Sequence, residues 1–453
     1  MGSAPGPAAL AGAPPPRLKA LAANRSIDGA RRRNYCGQAT FCCKQPEERQ
    51  VNPLTKMNMR AALRCAAVAA TCTWALSAPA QAAVCTEVAT GLLRPIGTVL
   101  TPQGRLLVSE TGTLAPHSGR ISLIEANGTR RTLIDGLPSG VSDIGDPSGP
   151  SGILLRGRTL LVAIGVGDVG VLGRNAQGQP VLGSAVENPN GPSSPLFSSV
   201  LAIHFSAEVE RTSKGFMMTY ADQQMLADGQ KITMSNGGHD QITVQRLADL
   251  PNFVPRLHPA VANNIQMSNP YQMVALGDQL FVSDGGRNLV WRIDMPSAAA
   301  DTLAAFAPVP NPLFGIFPVG GPFLDAVPTG LAVYGDQLLV TLFRGVPFPP
   351  GTSTVQKVDP VSGTQAPLIA GLKTAIDVLP VASKGSTEFL VLQHASVGVF
   401  FGGPGQVLRF EEPGGPPSLV ADCLTRPKSM VRDPRSGRLL VSEVGGRLVS
   451  IAP

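Results

Sequence analysis

The chain has 453 residues, of which 50 are Gly and 42 are Pro, and only 15% are charged. An ordinary soluble domain carries roughly 25% charge, so the balance points to many turns and short strands. The net charge of +6 lies upstream: residues 1–64 hold eleven Lys/Arg against three Asp/Glu, leaving 26 against 28 in the remainder. That remainder has no cluster of basic residues, so nucleic acid is not an expected partner.

The beginning of the chain reads as targeting sequence. Met57-Asn58-Met59-Arg60 and Arg64 form a short basic region, Ala61 to Leu76 is apolar, and Ala-Gln-Ala at 80–82 supplies small residues for cleavage, which is the signal-peptide pattern. The apolar run is closed by Ser77 and Pro79 and is shorter than the roughly 20 residues that span a bilayer. Residues 57–82 are therefore expected to be removed after Ala82, with no membrane span in the mature chain. Residues 1–56 are rich in Pro, Ala and Arg without periodicity, and they read either as sequence upstream of the true start or as a disordered extension. The mature product is expected in the periplasm or outside the cell. Cys36, Cys42, Cys43, Cys65 and Cys72 precede the cleavage point, which leaves Cys85 and Cys423. An even pair in an oxidising compartment is a disulfide candidate.

One pattern then recurs six times: a turn with Pro or Gly, a short apolar strand, a Gly/Asp turn, and a second strand of the type Leu-Leu-Val-Ser. The copies begin at Arg94-Pro95, Gly149-Pro150, Asn269-Pro270, Val327-Pro328, Lys373 and Arg426-Pro427. A third strand follows each, as in Gly119 to Ile124 and Asn288 to Ile293, and usually a fourth, as in Thr132 to Leu137 and Pro367 to Leu372. Four-stranded units that cannot bury both faces alone predict an all-β, six-bladed propeller over residues 83–453. The last copy lacks a fourth strand, while Thr86 to Leu92 resembles an outer strand that precedes the first blade. Pairing this N-terminal strand with the last blade would close the ring and remove a free edge. Cys85 would then start the outer strand of blade six and Cys423 would end that of blade five. Between Phe205 and Gln241 lies an insert, expected to be an added β-hairpin around 206–240.

The segments SNPYQMVALGDQLFVSDGGRNLVWRID (268–294), VPTGLAVYGDQLLVTLFRGVPFPPG (327–351) and GPSGILLRGRTLLVAIG (149–165) resemble the ScyD/ScyE family. Its members are exported NHL-like propellers named after a cyanobacterial pigment pathway. The resemblance spans nearly all of residues 85–453 and implies an extracytoplasmic propeller, with no agreed catalytic residues to carry over. The blade-two insert and the Pro/Ala/Arg-rich leader depart from the family pattern.

Strand alternation brings the loop before strand one and the loop between strands two and three to a single face. That face gathers Glu110, Asp143, Asp146, Asn269, Asp284, Asp377 and Glu443. Such oxygens converging on a channel could hold Ca²⁺, which takes six to eight oxygen ligands. The same residues beside Gly also form turns by bonding their own backbone. Gly165 to Gly170 matches a dinucleotide fingerprint only literally, because no helix follows it. Of the five His residues only His394 falls near the channel, and Trp291 is the single Trp of the mature chain. The preferred function is an exported binding module or accessory protein holding a small molecule or an envelope protein on the channel face. The alternative is a metal-dependent lactonase or esterase-like hydrolase.

Overall fold

The computed structural model describes residues 83–452 apart from 318, 384, 398, 399 and 401. The expected leader at 1–56 and the expected signal peptide at 57–82 lie outside the described residues. Six antiparallel sheets are arranged as a β-propeller. From the channel outward, blade one is Pro95–Leu100, Leu106–Glu110, Gly119–Ile124 and Arg130–Leu137, and blade two is Pro150–Arg156, Thr159–Ile164, Ser199–Phe205 and Gln241–Asp249. Blade three is Pro270–Leu276, Gln279–Asp284, Leu289–Asp294 and Ala300–Ala305, and blade four is Pro328–Tyr334, Gln337–Leu342, Ser353–Val358 and Gln365–Leu372. Blade five is Ala375–Ser383, Ser386–Gln393, Gly405–Phe410 and Ser418–Leu424. Blade six takes Pro427–Arg432, Leu439–Glu443 and Arg447–Ile451 from the end of the chain and Cys85–Ala89 from the beginning.

The Leu-Leu-Val strands lack polar alternation because both of their faces are buried. Successive side chains of a strand point to opposite faces, so each strand feeds two interfaces. In blade one, Leu106 and Val108 pack against blade six while Leu107 packs against blade two. In blade three, Leu280 and Val282 face blade two while Phe281 faces blade four. The core is accordingly divided among the seams between neighbouring blades.

Near the channel the seams are polar. Pairing between the first and second strands breaks register near the start of the innermost strand in all six blades, and such a bulge leaves backbone groups unpaired. The hydroxyl that ends the Leu-Leu-Val-Ser motif takes up the slack. Ser109 Oγ accepts the Gly97 N–H at 2.8 Å and donates to the Ser151 carbonyl of blade two. Ser283 accepts from Gln272 at 3.0 Å and donates to Thr329 of blade four. Ser442 accepts from Ser429 at 3.2 Å and donates to Ile96 of blade one at 2.7 Å. Blade two has Ala163 at this position, and there Ser151 donates to Pro270 of blade three at 2.7 Å. Blades four and five meet where Ser353 Oγ accepts the Ala375 N–H at 2.9 Å. Gly97 permits the close approach of blades one and two, since a Cβ there would lie 2.6 Å from the Ser151 carbonyl oxygen.

The insert is not a hairpin. It runs as helix α1 (Ala207–Thr212), a short strand Phe216–Met217, helix α2 (Tyr220–Ala227) and a strand Ile232–Ser235. Ser206 caps α1 by accepting the Val209 N–H, and Thr219 with Asp222 forms a capping box on α2; these caps satisfy N–H groups that a helix start otherwise leaves unpaired. Only Ile232–Ser235 pairs back onto Gln241–Asp249, while Phe216–Met217 runs parallel to the outer strand of blade one. Glu210, fully buried, accepts from Arg158 at 2.7 Å and fastens α1 to blade two. Among the described residues no helix is long and apolar enough to cross a membrane.

Residues Cys85–Ala89 pair antiparallel with Arg447–Ile451, and a disulfide joins Cys85 to Cys423 of the neighbouring blade, with 5.9 Å between the Cα atoms. The bond links positions 338 residues apart, so its removal releases a long loop in the unfolded chain. A Cys85→Ser/Cys423→Ser variant should lose roughly 2–4 kcal/mol in urea unfolding. An unchanged midpoint would show that strand pairing alone closes the ring.

Candidate functional site

The turn into each innermost strand presents side chains at the mouth of the channel. Arg94, Val327, Thr374 and Arg426 occupy the same repeat position and share left-handed backbone, with φ between 49° and 55°. This conformation is rare outside Gly and needs support. In blades one and six it comes from carboxylates at the end of the second strand. Glu110 accepts the N–H of Leu93, beside Arg94, and also the Ser122 hydroxyl. Glu443 accepts the N–H of Thr425, beside Arg426, at 2.6 Å and pairs with Arg447 at 2.7 Å. Gln393 serves blade five in the same way, accepting from Lys373 at 2.6 Å.

The acidic residues proposed as cation ligands are therefore distributed rather than gathered. Glu110, Glu443 and Asp284 are buried at their own turns. Asp284 Oδ1 accepts from Asn269, Gly286 and Arg287 at 2.7, 3.1 and 3.0 Å, and Oδ2 from the Trp291 indole at 2.9 Å. Burial raises its carboxyl above the usual range against the pull of these donors. Asn269 Oδ1 accepts from Val166 at 3.2 Å. Asn269 and Asp143 border a small cavity of about 180 Å³, and burial raises the Asp143 carboxyl. Asp146 is exposed and pairs with Arg94 at 2.8 Å. Among the described residues no group of three or more His, Cys, Asp or Glu side chains is arranged to hold a metal ion. Turn N–H groups already take oxygens of Glu110, Asp284 and Glu443, while Asp146 is held by Arg94.

Asp377 plays a different part. It lies on the innermost strand of blade five, where Leu392 stands in place of the seam hydroxyl, and its Oδ2 accepts the Met430 N–H of blade six at 2.9 Å. Burial pushes its carboxyl up to about 7. Tyr271 crosses the channel from blade three, packs against the core between blades five and six, and donates its hydroxyl to the Lys428 carbonyl at 3.3 Å. Burial, helped by the Asp377 charge, raises the Tyr271 hydroxyl above its ordinary value.

Above these residues is a cavity of about 830 Å³ whose lining includes Arg94, Arg426, Lys428, His394, Phe343 and Phe348. Asp146 is also in the lining, already engaged by Arg94. Lys428 is half-buried, and desolvation lowers its ammonium to about 8, with Arg426 and Arg94 adding to the effect and Asp146 opposing it. His394 Nδ1 donates to the Pro427 carbonyl at 2.9 Å, which leaves Nε2 as the acceptor nitrogen of a neutral ring. Burial first, and Lys428 second, lower His394 to about 3.

Of the residues expected near the channel, the cavity brings together His394 and Asp146 only. Sequence reasoning missed Arg94, Arg426, Lys428, Phe343 and Phe348. Two of them stand in the matching Arg-Pro pairs of the first and last repeats, which was the available signal.

No protein-family model matches the chain, and no curated protein matches its sequence. Solved structures resemble its fold at low identity. The PQQ-bound aldose sugar dehydrogenase of Streptomyces coelicolor is 15% identical over 83% of this chain and 99% of its own, with a TM-score of 0.44. A gluconolactonase of Xanthomonas campestris is 11% identical over 82% and 90%, with a TM-score of 0.43. The soluble aldose sugar dehydrogenase of Escherichia coli is 12% identical over 82% and 99%, also at 0.43. Likeness at this level specifies neither activity nor ligand.

Asp377 makes stability depend on pH. Its folded value is raised above the ordinary 3.8 to about 7, so the folded state holds the proton more tightly and loses stability as pH rises from about 4 to about 7. Thermal melts should fall across that window, by at most ~1.4 kcal/mol per pH unit. Asp377→Asn should flatten the slope there to what the other raised carboxyls, Asp143 and Asp284, contribute, and a slope equal to wild type would assign the whole effect to those groups.

Proposed function

We propose that the protein is an exported propeller that binds a small organic anion in the cavity at its channel mouth. One observation carries the reading: Arg94, Arg426 and Lys428 line a single cavity whose one carboxylate, Asp146, is already paired. Lys428 is partly withdrawn from water and Arg426 stands exposed at the rim, so three cations face a single carboxylate; this excess of positive charge favours an anion, and charge-assisted hydrogen bonds are about twice as strong as neutral ones. The two arginines sit on turns held by buried carboxylates, so their order is arranged before any ligand arrives, which reduces the entropic cost of binding. The disulfide and the signal-like segment at 57–82 support an oxidising compartment, periplasmic or secreted. ScyD/ScyE-like membership fits the same placement.

The metal-dependent lactonase alternative requires oxygens that converge on a cation. Glu110, Asp284 and Glu443 are spent on backbone N–H groups instead, which favours the binding reading. EDTA or added Ca²⁺ should therefore leave the melting temperature of the mature chain unchanged. A rise of several degrees with Ca²⁺ would restore the hydrolase reading, because a ligand of the native state raises its stability.

The anion reading is tested by calorimetric titration with acetate, malonate and citrate. Arg426→Ala should weaken binding about tenfold or more, the equivalent of ~1.5 kcal/mol for one lost charge-assisted hydrogen bond. Lys428 is protonated below about 8, so affinity should decline as pH passes upward through that value, and Lys428→Met should remove the decline. Failure of all three of these anions and of benzoate to bind would overturn the proposal.

A further inference from the structure

We infer that the anion taken by this cavity is an aryl anion, a planar aromatic ring bearing a carboxylate or a comparable acid group. The inference rests on the reading that the cavity binds anions, and it names the class. The cavity has two chemically different parts. Arg94 comes from the turn into blade one, and Arg426 and Lys428 come from the start of blade six. Phe343 and Phe348 come from the loop of blade four, with His394 from blade five beside them.

The aromatic part is built edge to face. Phe343 meets His394 at 5.7 Å between centroids and 71° between planes, and Phe348 at 5.6 Å and 72°. Phe348 meets Phe400 at 5.2 Å and 64°. In such tilted contacts the positive edge of one ring engages the negative face of another. Phe343 and Phe348 remain only half-buried although they line the cavity. Rings placed only to stabilise the core would be covered, as Phe197, Phe205, Phe281 and Phe389 are.

A second observation points the same way. Phe348 has φ 62°, a conformation that a bulky side chain rarely adopts and that persists only where the surroundings impose it. The surroundings here do so: the Phe348 N–H donates to the Gly345 carbonyl at 2.9 Å, and Arg344 Nε donates to the Thr352 carbonyl at 2.9 Å. Strained positions of this kind cluster at ligand clamps. The neutral imidazole of His394 extends the aromatic surface without adding charge. A ligand with an acid group against the arginines and lysine and a flat ring against Phe343 and Phe348 satisfies both parts at once. Acetate satisfies only the first.

The test is calorimetric titration of the mature chain with benzoate, cyclohexanecarboxylate, acetate and benzamide. Benzoate should bind at least tenfold more tightly than acetate and several-fold more tightly than cyclohexanecarboxylate, which has similar bulk without the π face. Benzamide, which has the ring without the charge, should bind at least tenfold more weakly than benzoate. Phe348→Leu, which keeps apolar volume, should erase the preference for benzoate over cyclohexanecarboxylate, and Phe343→Leu provides a second variant should the first fail to fold. Equal affinity for the three carboxylates would overturn the aryl inference and leave the anion reading standing. Benzamide binding as tightly as benzoate, or no binding by any of the four, would overturn the anion reading and this inference with it.

Discussion

The ring depends on how neighbouring blades are joined close to the axis. Each innermost strand begins with a bulge that frees a backbone N–H, and in blades one, three and six a serine hydroxyl from the second strand accepts it and donates across the seam. An unpaired buried N–H costs more than a made hydrogen bond gains, ~1–3 against ~1 kcal/mol, so these hydroxyls are required once the strand bulges. The bulge also bends each innermost strand locally. Where the hydroxyl is missing, another side chain bridges the seam, Ser151 beside Ala163 and Asp377 beside Leu392.

The same geometry produces the candidate site. A bulged first strand preceded by a left-handed residue turns that residue toward the mouth, and the carboxylates at the end of the second strand stabilise the turn. Glu110 and Glu443 are thus positioning residues for Arg94 and Arg426. Blades one and six supply cations to the mouth, while blade three supplies Tyr271 to fill the axis. Quasi-symmetry supplies the frame, and departures from it supply the chemistry. The N-terminal strand that completes blade six also places the two Arg-Pro turns next to each other, because closing the ring makes the first and last repeats neighbours.

The fold was almost wholly legible in the repeats. Leu106, Leu107 and Val108 announce a strand buried on both faces, and the missing outer strand of the last copy pointed to the segment at Cys85. The insert was not legible because its helices are short and polar, and their start signals, Ser206 and Thr219 with Asp222, are easily mistaken for turn residues. The site was hidden for a related reason. Glu110, Asp284 and Glu443 beside Gly read equally as cation ligands and as turn acceptors, and only the position of Leu93, Asn269 and Thr425 relative to them decides the matter.

By itself the sequence determined a six-unit β architecture and its closure at the chain beginning, because strand periodicity and repeat spacing are local properties written along the chain. Only the tertiary structure decided that Glu110, Asp284 and Glu443 are consumed by turns and that cations from blades one and six meet aromatic rings from blade four in a single cavity. That assembly joins residues such as Arg94, Phe348 and Lys428, which come from different blades, and no local pattern states where side chains from separate repeats will meet.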